Sequence, residues 1–340
     1  GCYGGQLVPT PHLDKLANEG TRFTDAYVTS QCTPTRATLL TGQYTARHGM
    51  WHVIGWYGYP YARMTEPAYV EQLSRDTFTL AKGLRHVGYR TGIVGKWHLT
   101  TNEDGHYMGL HPDAATHYGF DYAGPVITQE YFAPGADRGV NKLTDDALKF
   151  IESANGEPWF CLLSHHTIHG KVVAPERLVK KYRQLGYGER GPNRAVYLAA
   201  LEHLDHSIGR LMTVLQEKDL ADDTLVIFIS DNGGVDMRWD FRNGTVDDSG
   251  QPTFAADEVE YDNYPLRVGK GSVYEGGIRV PLIARWPKAI PANQVISTPV
   301  HLVDLMPTLF EIAGADSPVD HTLDGESLVA LVSQGEHQDL

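Results

Sequence analysis

A chain of 340 residues with 41% hydrophobic content is long enough to bury a large core. Its 29 Lys and Arg face 42 Asp and Glu, a formal charge of −13, which excludes nucleic acid as the main partner, because phosphate binding needs a basic surface. There is no run of 18 apolar residues, so neither a transmembrane helix nor a membrane partner is expected, and three cysteines (Cys2, Cys32, Cys161) make no disulfide framework.

Strand and helix patterns alternate, which predicts an α/β fold: a mixed, mostly parallel sheet sandwiched by helices, in one domain spanning residues 1–340. Thr10 is placed to cap a helix over Pro11–Asn18, stopped by Gly20. Pro34 suits the first turn of a short helix that Gly42 can end. Asp76 is placed to cap a helix over Thr77–His86, and Arg90–Trp97 follows as a strand. Thr144 is placed to cap a helix through Ile151. Trp159–His165 reads as a buried strand from its continuous apolar run. Leu198, Leu201, Leu204, Ile208, Leu211 and Leu215 give one apolar face to a helix over Arg194–Glu217. Thr224–Ser230 and Arg279–Trp286 read as further buried strands, and His301–Ile312 as a helix ended by Gly314. Between them, residues 234–268 have little periodicity and many Gly, Asp and Asn, a long loop insertion of the kind that usually has a function.

Several short motifs fall at strand ends, where open α/β sheets place their ligands. Cys32 lies at a predicted helix N-terminus, which favours an anion, and Arg36 one turn later can hydrogen-bond an oxyanion. In Gly95-Lys96-Trp97-His98-Leu99, Lys96 and His98 are two apart and point the same way on an extended backbone. Ser164-His165-His166-Thr167-Ile168-His169 packs three histidines into one loop, but a zinc site needs a defined second cluster. Asp231-Asn232 at the tip of an apolar run offers hard oxygen ligands for Ca²⁺, with Mg²⁺ as the alternative. Gly269 to Pro281 is a Gly-rich turn carrying Lys270, without the Gly-Lys-Ser/Thr helix start of a nucleotide loop. Taken singly, these are equally a buried free cysteine, a surface lysine, satisfied histidines and an ordinary Asp-Asn-Gly turn.

Taken together and in this order, they resemble the type I sulfatases of the alkaline phosphatase superfamily. Cys32-Thr33-Pro34-Thr35-Arg36 through Leu40-Thr41-Gly42 is similar to the signature around the formylglycine nucleophile of that family, and Gly269–Pro281 to its second signature. The resemblance implies that Cys32 is oxidised to formylglycine by a formylglycine-generating enzyme, and that the product attacks sulfur as a hydrated aldehyde. It implies that Lys96, His169 and Lys270 bind sulfate, that His98 takes a proton from the nucleophile, and that His169, with His165 and His166 as runners-up, protonates the leaving oxygen. Asp231, Asn232 and residue 32 would share the metal, while Glu275 and Arg279 would fix backbone. Two positions depart from the pattern: Thr100 stands where glycine is usual, and Ile168 where proline is usual.

The resemblance further implies a sulfated alcohol, phenol or sugar as substrate, a periplasmic or extracellular location, and a chain that lacks the family's first strand, with its Asp pair, and its C-terminal subdomain. Trp51, Trp56, Tyr57, Tyr59 and Tyr61 form an aromatic stretch suited either to packing within the fold or to stacking on sugar rings. The rival readings are a phosphomonoester or phosphonate hydrolase on the same fold, and a non-catalytic fragment that binds anions or sugars.

Overall fold

The computed structural model describes residues 1–54, 64, 67–101, 117–169, 172–189, 193–235 and 263–334. Trp56, Tyr57, Tyr59, Tyr61 and most of the 234–268 loop lie outside the described residues.

Nine described strands form three sheets. They are β1 (Thr21–Phe23), β2 (Ala26–Tyr27), β3 (Arg90–Gly95), β4 (Tyr122–Ala123), β5 (Trp159–Ser164), β6 (Val226–Ile229), β7 (Leu282–Arg285), β8 (Gln294–Ile296) and β9 (Val300–His301). One sheet runs β6-β7-β1-β8, a second pairs β2 with β9, and a third runs β4-β3-β5. All pairs are parallel except those of β7, which runs antiparallel to both β1 and β6. The mixed, mostly parallel α/β architecture expected from the alternation is therefore present. In the third sheet, Ile93 sits opposite Ala123 and Leu162, and Val94 opposite Leu163. Helix Val140–Ser153 packs on this sheet with the Phe150 ring against Gly92, where any Cβ would come within 2.8 Å of the ring.

Several helices are capped by groups other than those the sequence points to. Helix Pro11–Asn18 has the expected bounds, but the Thr10 hydroxyl bonds Asp14 instead of the helix amides. The fully buried Asp205 carboxylate, from the long helix Ala195–Glu217, accepts the His12 and Leu13 N–H groups at 3.2 and 2.9 Å. The helix predicted over Thr77–His86 begins later, at Leu80, and its cap is Thr79, not Asp76. The Thr79 hydroxyl accepts the Lys82 N–H and donates to the Tyr118 carbonyl, joining the helix start to the segment before β4. Thr144 is not a cap either. It lies inside helix Val140–Ser153, donating to the Val140 carbonyl, while Asp137 accepts the Gly139 and Asn141 N–H groups. At the far end, a 3₁₀ turn over Leu302–Asp304 leads into helix Leu305–Ala313, which Gly314 ends at φ 66°, as expected.

The buried strand predicted over Trp159–His165 is β5, and it is mostly half-buried, as is all of β6. Each pairs on one side only among the described residues, β5 with β3 and β6 with β7. Their apolar side chains still pack: Trp159, Cys161 and Val226 join Phe150, Leu211 and Leu215 in one cluster beneath helix Ala195–Glu217. On that helix only Leu198 and Leu215 of the predicted leucine face are fully buried. No helix among the described residues is long and apolar enough to cross a membrane.

The cap assignment is testable by urea unfolding. Thr79→Ala is expected to cost about 1 kcal/mol, while Asp76→Ala stays within about 0.5 kcal/mol of the parent. Equal losses at the two positions would refute it.

Candidate active site

Cys32 is the first residue of helix Cys32–Thr41, with Gln31 extended at the cap position, so the thiol sits where free N–H groups favour negative charge. It is 1% exposed. Four residues on, Arg36 turns inward. Its Nε and Nη2 donate to Asp231 Oδ2 at 3.1 and 2.9 Å, and its Nη1 to the Lys96 carbonyl and Ser164 Oγ, both at 2.7 Å. These three acceptors stand at or just beyond the C-terminal ends of β6, β3 and β5. The sequence reading put Arg36 on a substrate oxyanion; here its fork is engaged by the protein and ties three strand ends to the Cys32 helix.

Lys96 and His98 do not lie on an extended strand. β3 stops at Gly95, whose φ of +100° and close approach to the Ser164 carbonyl (2.1 Å from an added Cβ) admit only glycine. His98 itself has φ 59°. Both side chains nevertheless point into the site. Lys96 Nζ is 3.4 Å from Asp231 Oδ2, and His98 Nδ1 is 3.1 Å from Cys32 Sγ. Between them the buried Trp97 donates its indole N–H to Thr100 Oγ1 at 2.8 Å, so the residue that replaces the usual glycine anchors the segment.

Lys270 enters from the opposite side, its Nζ 3.9 Å from Cys32 Sγ. Its loop is held by Lys270 N–H to Gly234 O and Gly271 N–H to Ser30 O, and by the Asn263 side chain, which bridges Gly234 and Val268. Glycines let the chains approach: a Cβ on Gly233 would lie 1.7 Å from the Gly276 carbonyl. The Glu275 carboxylate accepts from the Tyr27 hydroxyl and the Arg279 guanidinium, and Arg279 also pairs with Asp25 and donates to the Thr24 carbonyl. His169 follows β5 and takes a turn in which its N–H donates to the His166 carbonyl at 3.1 Å.

Electrostatics bind the group together. Burial pushes the Cys32 thiol up, but Lys270, Lys96 and His98 outweigh it and hold it well below the usual thiol range. Burial alone would raise the Asp231 carboxyl; Lys96, Arg36 and Lys270 keep it well below the usual carboxylate range. Burial, Lys270 and Lys96 push His169 well below an ordinary imidazole, and burial lowers His98, against the pull of Cys32. Asn232 Oδ1 is buried with no hydrogen-bond partner, beside the charged Asp231. An orphaned hard oxygen next to a carboxylate is the donor chemistry of a Ca²⁺ or Mg²⁺ site, so these residues fit a share of such an ion's shell.

Sequence reasoning missed the support. Ser164, Thr100 and Asn263 hold site segments in place. Ser207 Oγ stands 3.2 Å from His165 Nε2, and the buried Arg138 lies close enough for its charge to depress His166 and His169. Ser207 and Arg138 lie in no motif, so only the folded chain reveals them.

Two predictions follow from this geometry. Arg36→Ala strands Asp231 and is expected to lower the unfolding free energy by about 3 kcal/mol, with Arg36→Lys recovering less than half of that, since an ammonium lacks the planar fork. Near-complete rescue by lysine in urea unfolding would overturn the tie. The second concerns pH. Burial holds His48 and His165 neutral down to about 4 and His166 to about 3, below the roughly 6.5 of an unfolded histidine. Above pH 6.5 their contribution is complete. As pH falls from 6.5 towards 4 the unfolded chain takes up protons the fold refuses, so stability falls by roughly 1.4 kcal/mol per pH unit for each. The thermal midpoint is expected to drop between pH 7 and 5, less steeply in His48→Gln; a flat profile would contradict the burial.

Human arylsulfatase A is 33% identical over 359 residues, an alignment covering 98% of this chain; the chain spans 64% of that relative's length. The crystal structure of Ps i-CgsB in complex with k-i-k-neocarrahexaose superposes with a TM-score of 0.74 at 26% identity, covering 96% of this chain and 71% of that one. The phosphonate monoester hydrolase SpPMH from Silicibacter pomeroyi has a TM-score of 0.66 at 22% identity, covering 100% and 75%, a likeness of fold alone. The fold is that of the alkaline phosphatase-like sulfatases. The family model described as Sulfatase matches residues 1–315, and the chain belongs to the sulfatase family.

Proposed function

We propose that this chain hydrolyses sulfate esters, with residue 32 as nucleophile after conversion of Cys32 to formylglycine. The observation that carries the reading is the position of Cys32 Sγ, 3.1 Å from a histidine nitrogen and 3.9 Å from a lysine ammonium at a helix N-terminus. Formylglycine, when present, supplies a hydrated aldehyde whose hydroxyl is the attacking group. Lys96 and Lys270 neutralise the sulfate oxygens. His98 Nδ1 faces residue 32 and takes its proton, and His169 gives a proton to the leaving oxygen. Burial chiefly holds His169 neutral, with help from Lys270 and Lys96; an anion lying near those two offsets their share, so substrate binding itself raises the affinity of His169 for that proton. Asp231, Asn232 and residue 32 are the ligands proposed for Ca²⁺, or Mg²⁺, which would add positive charge at the sulfate.

For substrate, the structural likeness to a protein solved with a neocarrahexaose supports a sulfated carbohydrate, with sulfated phenols and alcohols as further candidates. The formylglycine-generating enzyme is the partner this reading requires, and a periplasmic or extracellular location goes with it. The phosphonate and phosphate reading shares the tetrahedral anion, and the structural likeness that goes with it reaches only the fold.

Maturation is directly measurable. Coexpressed with a formylglycine-generating enzyme, the Cys32 peptide is expected to lose about 18 Da, the difference between thiol and aldehyde. Cys32→Ala should keep the fold and lose turnover; full activity in that variant refutes the reading. His169→Ala is expected to slow alkyl sulfates far more than activated aryl sulfates, because only a poor leaving group needs the proton. A higher kcat/KM on aryl phosphate than on aryl sulfate would favour the phosphate reading.

A further inference from the structure

The sequence singled out three histidines after β5, and the proposed chemistry uses only His169. His165 joins a buried polar layer on helix Ala195–Glu217, and His166 packs against Phe132. His165 Nε2 lies 3.2 Å from Ser207 Oγ, which lies 2.6 Å from Thr144 Oγ1, and the Thr144 hydroxyl bonds the Val140 carbonyl. Thr144 and Ser207 are 0% and 2% exposed. One turn earlier on the same helix, His203 Nε2 lies 3.3 Å from Asp137 Oδ2, the carboxylate that caps helix Val140–Ser153. His166 meets the edge of Phe132 at 6.1 Å, and the Arg138 guanidinium covers that ring at 4.9 Å.

The other side of the loop is held by packing. Ile168 sits against an apolar cluster that includes Ala174, Leu178, Leu198 and Ala199. Leu198 and Ala199 belong to the helix that carries Ser207. The helix therefore holds the loop at His165 by a hydrogen bond and shares with Ile168 one apolar cluster, while the turn between is closed by His169 N–H to His166 O.

We propose that Ser207, acting through His165, is a positioning residue for His169, and that helix Ala195–Glu217 is the brace that fixes the proton donor relative to the leaving oxygen. This rests on the reading of His169 as that donor. The physical need is geometric. Proton transfer requires a heavy-atom separation of about 2.6–3.2 Å, and a misplacement near 1 Å costs on the order of a hundredfold. His169 makes no side-chain hydrogen bond within the protein that would hold its ring among the interactions described, so its backbone must be held instead. Among the interactions described, the hydrogen bonds of this layer involve neither Cys32, Lys96 nor Lys270. The layer therefore affects the leaving-group step and leaves sulfate binding and nucleophile activation alone.

The test uses the formylglycine-converted full chain with an alkyl sulfate and an activated aryl sulfate. Ser207→Ala and His165→Ala are expected to lower kcat on the alkyl sulfate about tenfold, with KM and the aryl sulfate kcat within about twofold. His165→Gln, whose amide reaches the position of Nε2, restores most of the loss. Equal losses on both substrates, a change confined to KM, or no change overturns the proposal. An arm independent of turnover follows the ring by carbon-13 NMR of histidine-labelled protein, with the His169 signal assigned through His169→Asn. That signal is expected to be single in the parent and broadened or split in Ser207→Ala; an unaltered signal also overturns the proposal. Failure of the sulfatase reading is separate: it appears as inactivity of the parent on both sulfates while the NMR arm still reports on the brace.

Discussion

Everything at the site depends on one guanidinium held between three strand ends. Arg36 lies one turn after Cys32 on a short helix, and its fork reaches the Lys96 carbonyl, Ser164 and Asp231 together. The site therefore does not need its strands to be neighbours in one ladder. β3 and β5 share a sheet and β6 belongs to another, and the arginine registers them by side-chain contact. A planar group with five donors suits this, since a point charge cannot hold three acceptors at fixed angles. The cost of desolvating it is offset by Asp231, itself kept ionised by Lys96 and Arg36. The two contacts from Arg36 and the one from Lys96 converge on a single oxygen, Oδ2, of that carboxylate.

The charge pattern around that tie explains how an acidic chain handles an anion. The molecule carries −13 overall, yet Arg36, Lys96, Lys270 and Arg138 all act on the groups around residue 32. Against them stands Asp231. A cluster of cations in a buried pocket is unfavourable when empty: burial first, and the neighbouring cations with it, depress Lys96, His98 and His169 together. A bound tetrahedral anion relieves the same strain. In the proposed reaction, binding and the readiness of His169 to give a proton would thus be linked through shared charges, with no moving part required.

How much of this was legible beforehand differs by kind of feature. The motif residues were readable because strand-end placement and fixed spacing are local properties, and the structure gathers Cys32, Lys96, His98, Lys270 and Asp231 as neighbours. Their exact presentation was not, because Lys96 and His98 depend on Gly95 and His98 taking positive φ, which a strand pattern conceals. The buried character of β5 and β6 was overestimated for a related reason. A run of apolar residues reports what a strand can bury, while its exposure depends on which strands lie beside it. Caps failed at Asp76 and Thr144 because a competing acceptor, Thr79 in one case and Asp137 in the other, lay at a better distance from the free amides. Ser207 lay out of reach altogether, since its meaning comes from a partner 42 residues away.

The two departures from the family pattern show that a loop's rigidity can be supplied by different means. Glycine after the Lys-x-His motif is dispensable here, since Thr100 does not adopt positive φ, and its hydroxyl instead secures the indole of Trp97. Proline before the last histidine restricts a backbone from within. Ile168 imposes no such restriction, but it is apolar and reaches the cluster around Leu178 and Leu198, so the constraint moves from the residue's own dihedral to its neighbours. Such a substitution makes the loop dependent on a distant helix. It follows that the histidine turn and helix Ala195–Glu217 form one mechanical unit, so that repacking the helix near Leu198 must be felt at His169.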